Sequence, residues 1–158
     1  MKQNGFTLVE LMIIVAIIAF LAMIGIPSLT RFLAKAKRAE AYINLHAIYA
    51  AQKAHFAENG TYSSNLSGEN SVNWKPEGYK GGGKGENFYY TYGFSGAEGK
   101  NYFTGKLETS SSHLGKAKAD KSGFVAIAAG DIDGDGKPDI ISIDQDNTIT
   151  IVEDDLAN

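Results

Sequence analysis

Residues 6–26 read FTLVELMIIVAIIAFLAMIGI, a run of 21 residues with a single charged side chain, Glu10. As a helix the run is apolar on every face, and about 20 helical residues span the roughly 30 Å of a bilayer core. A secretory signal peptide has a shorter apolar core that is followed by a small-residue cleavage site. The run therefore predicts a membrane-spanning helix that is retained in the mature protein.

Glu10 is the anomaly in this run, because a carboxylate in lipid costs about 2.5–3.5 kcal/mol on insertion scales. In one interpretation it lies near the membrane surface and extends its carboxylate to water. In the other it meets a cation from a neighbouring chain. The residues alone favour neither interpretation.

The hexapeptide at residues 5–10, GFTLVE, resembles the processing site of type IV prepilins and of the related pseudopilins. YAAQK at 49–53 and FAENGTY at 56–62 resemble the end of the long helix in many pilins. The resemblance implies that residues 1–5 are a leader, that prepilin peptidase cuts after Gly5, and that the same enzyme methylates the new terminus, Phe6. It also implies that Glu10 pairs with the methylated amine of an adjacent subunit, and Pro27 fits the same motif.

The same resemblance implies an architecture and a role. The expected fold is α+β, the pilin fold, with a long N-terminal helix packed on a C-terminal antiparallel sheet. The expected role is the major pilin of a type IV pilus, a homo-oligomeric filament for adhesion or twitching motility. Before assembly the chain would span the bacterial inner membrane once with its N-terminus in the cytoplasm, and the pilus assembly machinery would then bring it into an extracellular filament. The flanking charges conflict with this orientation, because four basic residues closely follow the run and one, Lys2, precedes it with the amine.

Residues 28–59 continue the helix as an amphipathic segment, since they contain neither Pro nor Gly. Asn59 and Gly60 predict its end. Gly25 and Pro27 lie at the junction with the membrane and filament-core segment, residues 6–27, and predict a bend or a stretch that unwinds during filament packing. Apolar residues recur every three or four positions and predict the face that packs on the body: Leu29, Phe32, Leu33, Ala36, Ile43, Ala47, Ala50 and Ala54.

Residues 60–158 form the predicted globular body. Residues 63–87 are rich in Gly, Ser and Asn and predict a loop with little regular structure. Five short runs predict the strands of an antiparallel sheet that packs on the amphipathic helix: 88–94, 102–107, 124–129, 139–143 and 148–152.

The acidic loop, residues 131–139, lies between two predicted strands and reads DIDGDGKPD. Its four carboxylates stand at positions 1, 3, 5 and 9, and a backbone carbonyl can serve at position 7, which is the oxygen spacing that calcium requires. The loop resembles the strand-flanked loops of integrin-type propellers, but it occurs once, so no propeller is predicted. One bound Ca²⁺ is expected, and the alternative is a polar turn without a metal. The predicted ligands are Asp131, Asp133, Asp135, Lys137 and Asp139.

The charge balance agrees with a cation partner. Residues 131–158 hold nine acidic residues against one basic residue, whereas the whole chain has a net charge of −3. So mild a net charge does not by itself argue for a nucleic-acid partner. There is no cysteine, which excludes thiolate metal sites, thiol nucleophiles and disulfides. The three histidines form no i, i+4 pair and no catalytic motif accompanies them, so no enzyme activity is predicted.

Two other functions fit the same anchor. A pseudopilin of type II secretion would form a short periplasmic pseudopilus, and its loss would stop secretion without removing surface fibres. A membrane-anchored monomeric binding protein would use the calcium-stiffened body to hold a ligand and would form no fibres.

Overall fold

The structure is a computed structural model that describes residues 5–157. Of the predicted leader, residues 1–5, all but Gly5 lie outside the described residues. The chain divides into two compact units, Met1–Leu33 and Ala34–Asn158. The described elements are α1 Leu8–Asn59, β1 Thr91–Gly93, β2 Tyr102–Phe103, a 3₁₀ helix Ser111–Leu114, β3 Lys118–Ala119, β4 Phe124–Gly130, β5 Asp139–Asp144 and β6 Ile149–Glu153.

The first unit contains the N-terminal part of α1, and its large apolar side chains are exposed. The exposed fraction is 75% for Phe6 and 63% for Phe20. By length and composition, α1 is the one helix within residues 5–157 that can cross a membrane. So large an apolar surface needs lipid or other helices around it, because it is not covered within its own unit.

In the second unit the strands form one antiparallel sheet in the order β2-β1-β4-β5-β6, and β3 pairs with β4 next to β1. The longest pairing joins β4 and β5, from Val125 opposite Asp144 to Gly130 opposite Asp139. All five predicted strands are present, although β1 and β2 are shorter than predicted. β3 and the 3₁₀ helix were not predicted, because elements of two to four residues leave no periodic pattern. The α+β prediction is confirmed.

The central strand β4 is covered on both faces. One face packs with α1 in the main core, and the other packs with the 3₁₀ helix in a smaller cluster. A strand that is buried on both faces usually has a nearly continuous apolar sequence. The sequence of β4, FVAIAAG, contains no polar side chain. The β4 residues of the main core are Phe124, Ala126 and Ala128, and those of the smaller cluster are Ile127 and Ala129.

The face of α1 that packs on the sheet is not the predicted one. Residues two positions apart, such as Leu45 and Ala47, are separated by about 200° around a helix, so the predicted face lies on the other side. On that side Ile43 is 69% exposed, and Ala50 and Ala54 are exposed too. The predicted residues in the first unit are also exposed: Leu29, Phe32 and Leu33. Periodicity indicated one apolar face, whereas this segment has two. The buried helix residues are Ala34, Ala41, Leu45, Ile48 and Gln52.

Polar contacts explain why the sheet covers this side of α1. The Glu40 carboxylate accepts hydrogen bonds from the Tyr89 N–H (2.9 Å) and the Tyr92 hydroxyl (3.0 Å). The Gln52 side chain donates to the Ser63 carbonyl (2.6 Å) and accepts from the Ser63 N–H (3.1 Å). Burial raises the pKa of Glu40, although its two hydrogen bonds oppose that shift. This side of α1 therefore finds partners on the body for its polar groups, which burial requires.

The segment between α1 and β1, residues 60–90, contains no helix or strand, and all of it lies within the described chain, so the predicted loop is confirmed. Its glycine-rich turn is organised around Glu86, which is 3% exposed. The Oε1 atom of Glu86 accepts hydrogen bonds from the N–H groups of Lys80 and Gly82, each at 2.8 Å. A buried carboxylate thus orders the loop where no strand pairing does.

Candidate functional site

The start of α1 forms an N-terminal capping box around Glu10. Thr7 precedes the first helical residue, and its hydroxyl accepts the N–H of Glu10 at 3.2 Å. In return the Glu10 carboxylate accepts the N–H (2.9 Å) and the hydroxyl (2.7 Å) of Thr7. This reciprocal pattern satisfies donors at the helix end that would otherwise lack partners. The signal, Thr followed three residues later by Glu, is present in the sequence but was missed there.

The capping box gives Glu10 a partner within its own chain. Both bonds use one oxygen, Oε2, and no hydrogen bond from a residue of the described chain reaches Oε1. The carboxylate can therefore cap its own helix and still offer an oxygen to a cation outside the chain. Its pairing with the amine of an adjacent subunit stays a prediction. Gly5 and Phe6, the predicted processing residues, precede the helix and are exposed.

Gly25 and Pro27 lie inside α1, which continues through both residues. Pro27 has no N–H, so one helix hydrogen bond is missing at this point. The Thr30 hydroxyl donates to the Pro27 carbonyl at 2.9 Å. No heavy atom lies within 4 Å of the position where a Cβ would stand at Gly25, so space does not demand glycine there. Unwinding of this stretch during filament packing stays a prediction.

The acidic loop connects β4, which ends at Gly130, to β5, which begins at Asp139. Asp131 accepts the N–H groups of Gly134 (2.7 Å) and Gly136 (3.0 Å). The φ angles of these two glycines are +88° and +90°, a region that residues with a Cβ rarely adopt. The glycines therefore let the chain fold tightly around Asp131.

Four carboxylates come together at this loop. Asp131, Asp133, Asp135 and Asp155 each offer an oxygen, and these oxygens lie within 4.8 Å of one another. Backbone groups already orient two of them, since Asp133 accepts the N–H of Asp135 (3.1 Å) and Asp135 accepts the N–H of Lys137 (2.8 Å). Clusters of carboxylate and carbonyl oxygens are what Ca²⁺ prefers. The donor set fits calcium, and three of the four carboxylates are predicted ligands.

Asp139, the predicted ligand at position 9, is placed differently. It is fully buried, and its carboxylate accepts hydrogen bonds from Arg38 of α1 at 3.0 Å (Nε) and 2.5 Å (Nη2). The Tyr90 hydroxyl also donates to it, at 2.7 Å. Burial raises the pKa of Tyr90, so this hydroxyl keeps its proton and remains a donor. Asp139 therefore joins the helix to the sheet, and no local pattern could show it, because Arg38 lies far away in the sequence.

Two consecutive helix residues hold the region around the acidic loop. Lys37 donates to the Ile132 carbonyl at 2.6 Å, and Arg38 pairs with Asp154 as well as with Asp139. Burial lowers the pKa of Arg38, but its hydrogen bonds to the two carboxylates outweigh this and raise the pKa overall. The guanidinium therefore stays charged. It connects α1 to the start of β5 and to the C-terminal segment, the residues that follow Glu153.

Asp155 is the site residue that the sequence analysis missed. It is 3% exposed, and its Oδ2 atom accepts the Ile132 N–H at 2.9 Å. Burial raises its pKa, and the charges of Asp133 and Asp131 act in the same direction. It follows the last strand, outside the loop motif, so its only signal was the excess of acidic residues near the C-terminus.

Two family models match the chain. The Prokaryotic N-terminal methylation motif matches residues 1–26, and the FG-GAP repeat matches residues 124–143, which include β4, the acidic loop and most of β5. The first match covers the predicted cleavage site, Glu10 and the start of the apolar helix. The second match covers the acidic loop, residues 131–139, in full.

Three curated relatives are named as a type IV major pilin, a fimbrial protein and a prepilin peptidase-dependent protein. The Type IV major pilin protein PilA of Myxococcus xanthus is 47% identical over 76 residues, which are 48% of this chain and 33% of that protein. A Fimbrial protein of Neisseria meningitidis is 35% identical over 63 residues, 40% of this chain and 37% of that protein. The Prepilin peptidase-dependent protein D of Escherichia coli is 57% identical over 35 residues, 22% of this chain and 24% of that protein.

The matched segments thus span between 24% and 37% of the length of these relatives. This chain carries the methylation motif at residues 1–26, and its fold has a long apolar helix and an antiparallel sheet. The motif, the relatives and the fold together support a place for this chain in the type IV pilin family.

Proposed function

We propose that this chain is the structural subunit of a type IV pilus and polymerises through α1 into a surface filament for adhesion or twitching motility. One observation carries the proposal: an exposed apolar helix begins at Leu8, within the residues that match the Prokaryotic N-terminal methylation motif. Prepilin peptidase removes residues 1–5 and methylates Phe6. The role is structural rather than catalytic, as in other members of the family.

The same apolar surface of α1 is covered first by lipid and then, after assembly, by other subunits of the filament. Before assembly, the N-terminal part of α1 spans the inner membrane once with its start in the cytoplasm, and the hydrocarbon covers its side chains. After extraction, the helices of other subunits take the place of the lipid. This exchange needs a helix that is apolar on every side, as this one is.

The second apolar face of α1 supports polymerisation further. Ile43, Ala47, Ala50 and Ala54 lie on the side of the helix that the sheet leaves uncovered. Small side chains let neighbouring helices approach closely, and Ile43 adds a large apolar contact that is 69% exposed in the single chain. A monomeric anchored protein would gain nothing from this face, whereas a filament of packed helices would cover it.

Intact-mass spectrometry of sheared surface material tests the processing step. We expect a chain that lacks residues 1–5 and carries one methyl group on Phe6, within fibres visible by electron microscopy. A mature chain that retains Lys2 would contradict the proposal. Cells that lose secretion but keep their surface fibres when the gene is deleted would identify a pseudopilin, and a processed chain that never forms fibres would identify the anchored monomer.

We further propose that the acidic loop binds one Ca²⁺, which stabilises the β4–β5 hairpin. Asp131, Asp133 and Asp135 would supply carboxylate oxygens and Lys137 a backbone carbonyl. Without a cation the clustered negative charges repel one another, and the loop connects two strands of the main sheet. Calcium would convert that repulsion into attraction at the end of the sheet.

The melting temperature of the second unit, measured on the full chain in detergent, should be higher in calcium than in chelator. A cation that binds only the folded chain adds about 2.7 kcal/mol to the free energy of unfolding at a hundredfold excess over Kd. Magnesium should substitute poorly, because it demands a tighter octahedral shell.

The double variant Asp133→Asn, Asp135→Asn should lose the calcium shift, since asparagine keeps an acceptor for the backbone N–H groups but removes the charge. Asp146→Asn, an exposed charge change in the β5–β6 turn, is the matched control and should keep the shift. Equal melting temperatures of the natural chain in calcium and in chelator would show that the loop is an ordinary polar turn.

A further inference from the structure

The chain turns inward after its last strand. β6 ends at Glu153, and the residues from Ile151 to Asp154 are exposed, but Asp155 is 3% exposed. Its N–H donates to the Asp139 carboxylate at 3.3 Å, and its Oδ2 atom accepts the Ile132 N–H at 2.9 Å. The C-terminal segment is therefore seated between the two ends of the acidic loop.

One carboxylate oxygen of Asp155 has no hydrogen-bond partner. This atom, Oδ1, is buried, and no group of the described residues makes a well-formed hydrogen bond to it, although the Asp133 N–H faces the carboxylate. Asp155 also offers an oxygen to the cluster of Asp131, Asp133 and Asp135, in which the four oxygens lie within 4.8 Å of one another. A buried carboxylate beside three others, without a donor for one of its oxygens, is unfavourable unless a cation is bound there.

The acidic loop alone does not supply a complete shell for calcium. Ca²⁺ takes six to eight oxygens, and helix-flanked loops with this spacing supply a bidentate Glu at position 12. Here position 12 is Ser142. Asp139 at position 9 is engaged by Arg38 and Tyr90. Further oxygens must therefore come from water or from outside the loop, and the carboxylate of Asp155 lies beside the three loop carboxylates.

We infer that Asp155 is a ligand of the cation, in place of Asp139, so that cation binding fastens the C-terminal segment to the acidic loop. This inference rests on the proposed calcium binding. The neighbouring Asp154 pairs with Arg38, so the fastened segment also holds α1 within the second unit. The cation site is thus made by two distant parts of the chain.

Calcium titration of the full chain in detergent, by calorimetry, tests this inference. Asp155→Asn should raise the Kd for Ca²⁺ at least about tenfold, because affinity follows the number of charged ligands. Its melting temperature in chelator should be no lower than that of the natural chain, since the asparagine carbonyl still accepts the Ile132 N–H and the repulsion from three neighbouring carboxylates is removed. Glu153→Gln removes the same charge from an exposed site nearby and should leave the Kd unchanged.

Natural affinity in Asp155→Asn would overturn the inference while leaving the calcium proposal intact. An absence of calcium binding by the natural chain would overturn both. A second measurement needs no variant: a carboxypeptidase should release the residues beyond Glu153 more slowly in calcium than in chelator. Equal release rates would show that the C-terminal segment is not fastened by the cation.

Discussion

Surface filaments should be absent from cells in which Glu10→Ala replaces the natural chain, although the variant protein accumulates in the membrane. Removing the carboxylate lowers the cost of insertion, which is about 2.5–3.5 kcal/mol for an acidic residue at the centre of the helix and less near its end. Insertion should therefore be no worse, whereas the proposed pairing of Glu10 with the amine of a neighbouring subunit would be lost. Immunoblots of the sheared and membrane fractions measure the two quantities separately.

The capping box provides two variants that separate the charge of Glu10 from its role in capping. Glu10→Gln keeps the cap, since Gln serves at this position as Glu does, but it lacks the charge. Thr7→Ala removes the cap at a cost of about 1 kcal/mol to the helix end and keeps the charge. We expect no filaments from Glu10→Gln and near-natural yield from Thr7→Ala. The reverse pattern would show that Glu10 matters for its own helix alone.

The N-terminal segment could be predicted from the sequence because its information is local. An apolar run of 21 residues, a cleavage motif and the Pro within a continuing helix all lie within a few turns of one another. The capping box is equally local, with its two members three residues apart.

The strands of the body were predictable for a related reason. β4, β5 and β6 are short apolar runs separated by turn-forming residues, and each pairs with its neighbour in the sequence. β1 is different, since it pairs with the later β4 and keeps three residues of the seven predicted. The chain on either side of β1 is held by loop contacts that no alternation of residues encodes.

The remaining features depend on contacts between distant residues. Asp139 fits the spacing of a calcium loop, but its carboxylate accepts hydrogen bonds from Arg38 on α1. No local sequence pattern predicts this contact. Asp155 lies after the last strand and reaches the cluster through the fold of the C-terminal segment. The prediction of which face of α1 packs on the sheet was wrong for the same reason. Periodicity does not say which of two apolar faces finds polar partners on the body.

Arg38→Ala should strongly destabilise the second unit. Its side chain is 11% exposed, and Asp139 opposite it is fully buried. Arg38→Ala would leave the Asp139 carboxylate buried with two donors, the Tyr90 hydroxyl and the Asp155 N–H, and without a counter-charge. Removing one partner of a buried ion pair costs about 3–5 kcal/mol, because the remaining charge is not compensated.

Urea unfolding of the full chain in detergent and chelator, followed by the fluorescence of Trp74, measures this loss. Trp74 packs edge-on against Tyr92 and Phe103, so its emission reports on the core of the second unit. Lys84→Ala is the matched control, because Lys84 pairs with Glu108 in an exposed salt bridge with an 84% exposed Lys side chain, and such pairs contribute about 0–1 kcal/mol.

The double variant Arg38→Met, Asp139→Asn should recover part of the stability that Arg38→Ala loses. It removes both charges together, so no uncompensated carboxylate remains in the core, and an apolar side chain fills the space of the guanidinium stem. If Arg38→Ala unfolds at the same urea concentration as the Lys84→Ala control, the buried pair does not hold α1 to the sheet. Stability would then come from apolar contacts such as those of Leu45 and Ile48 alone.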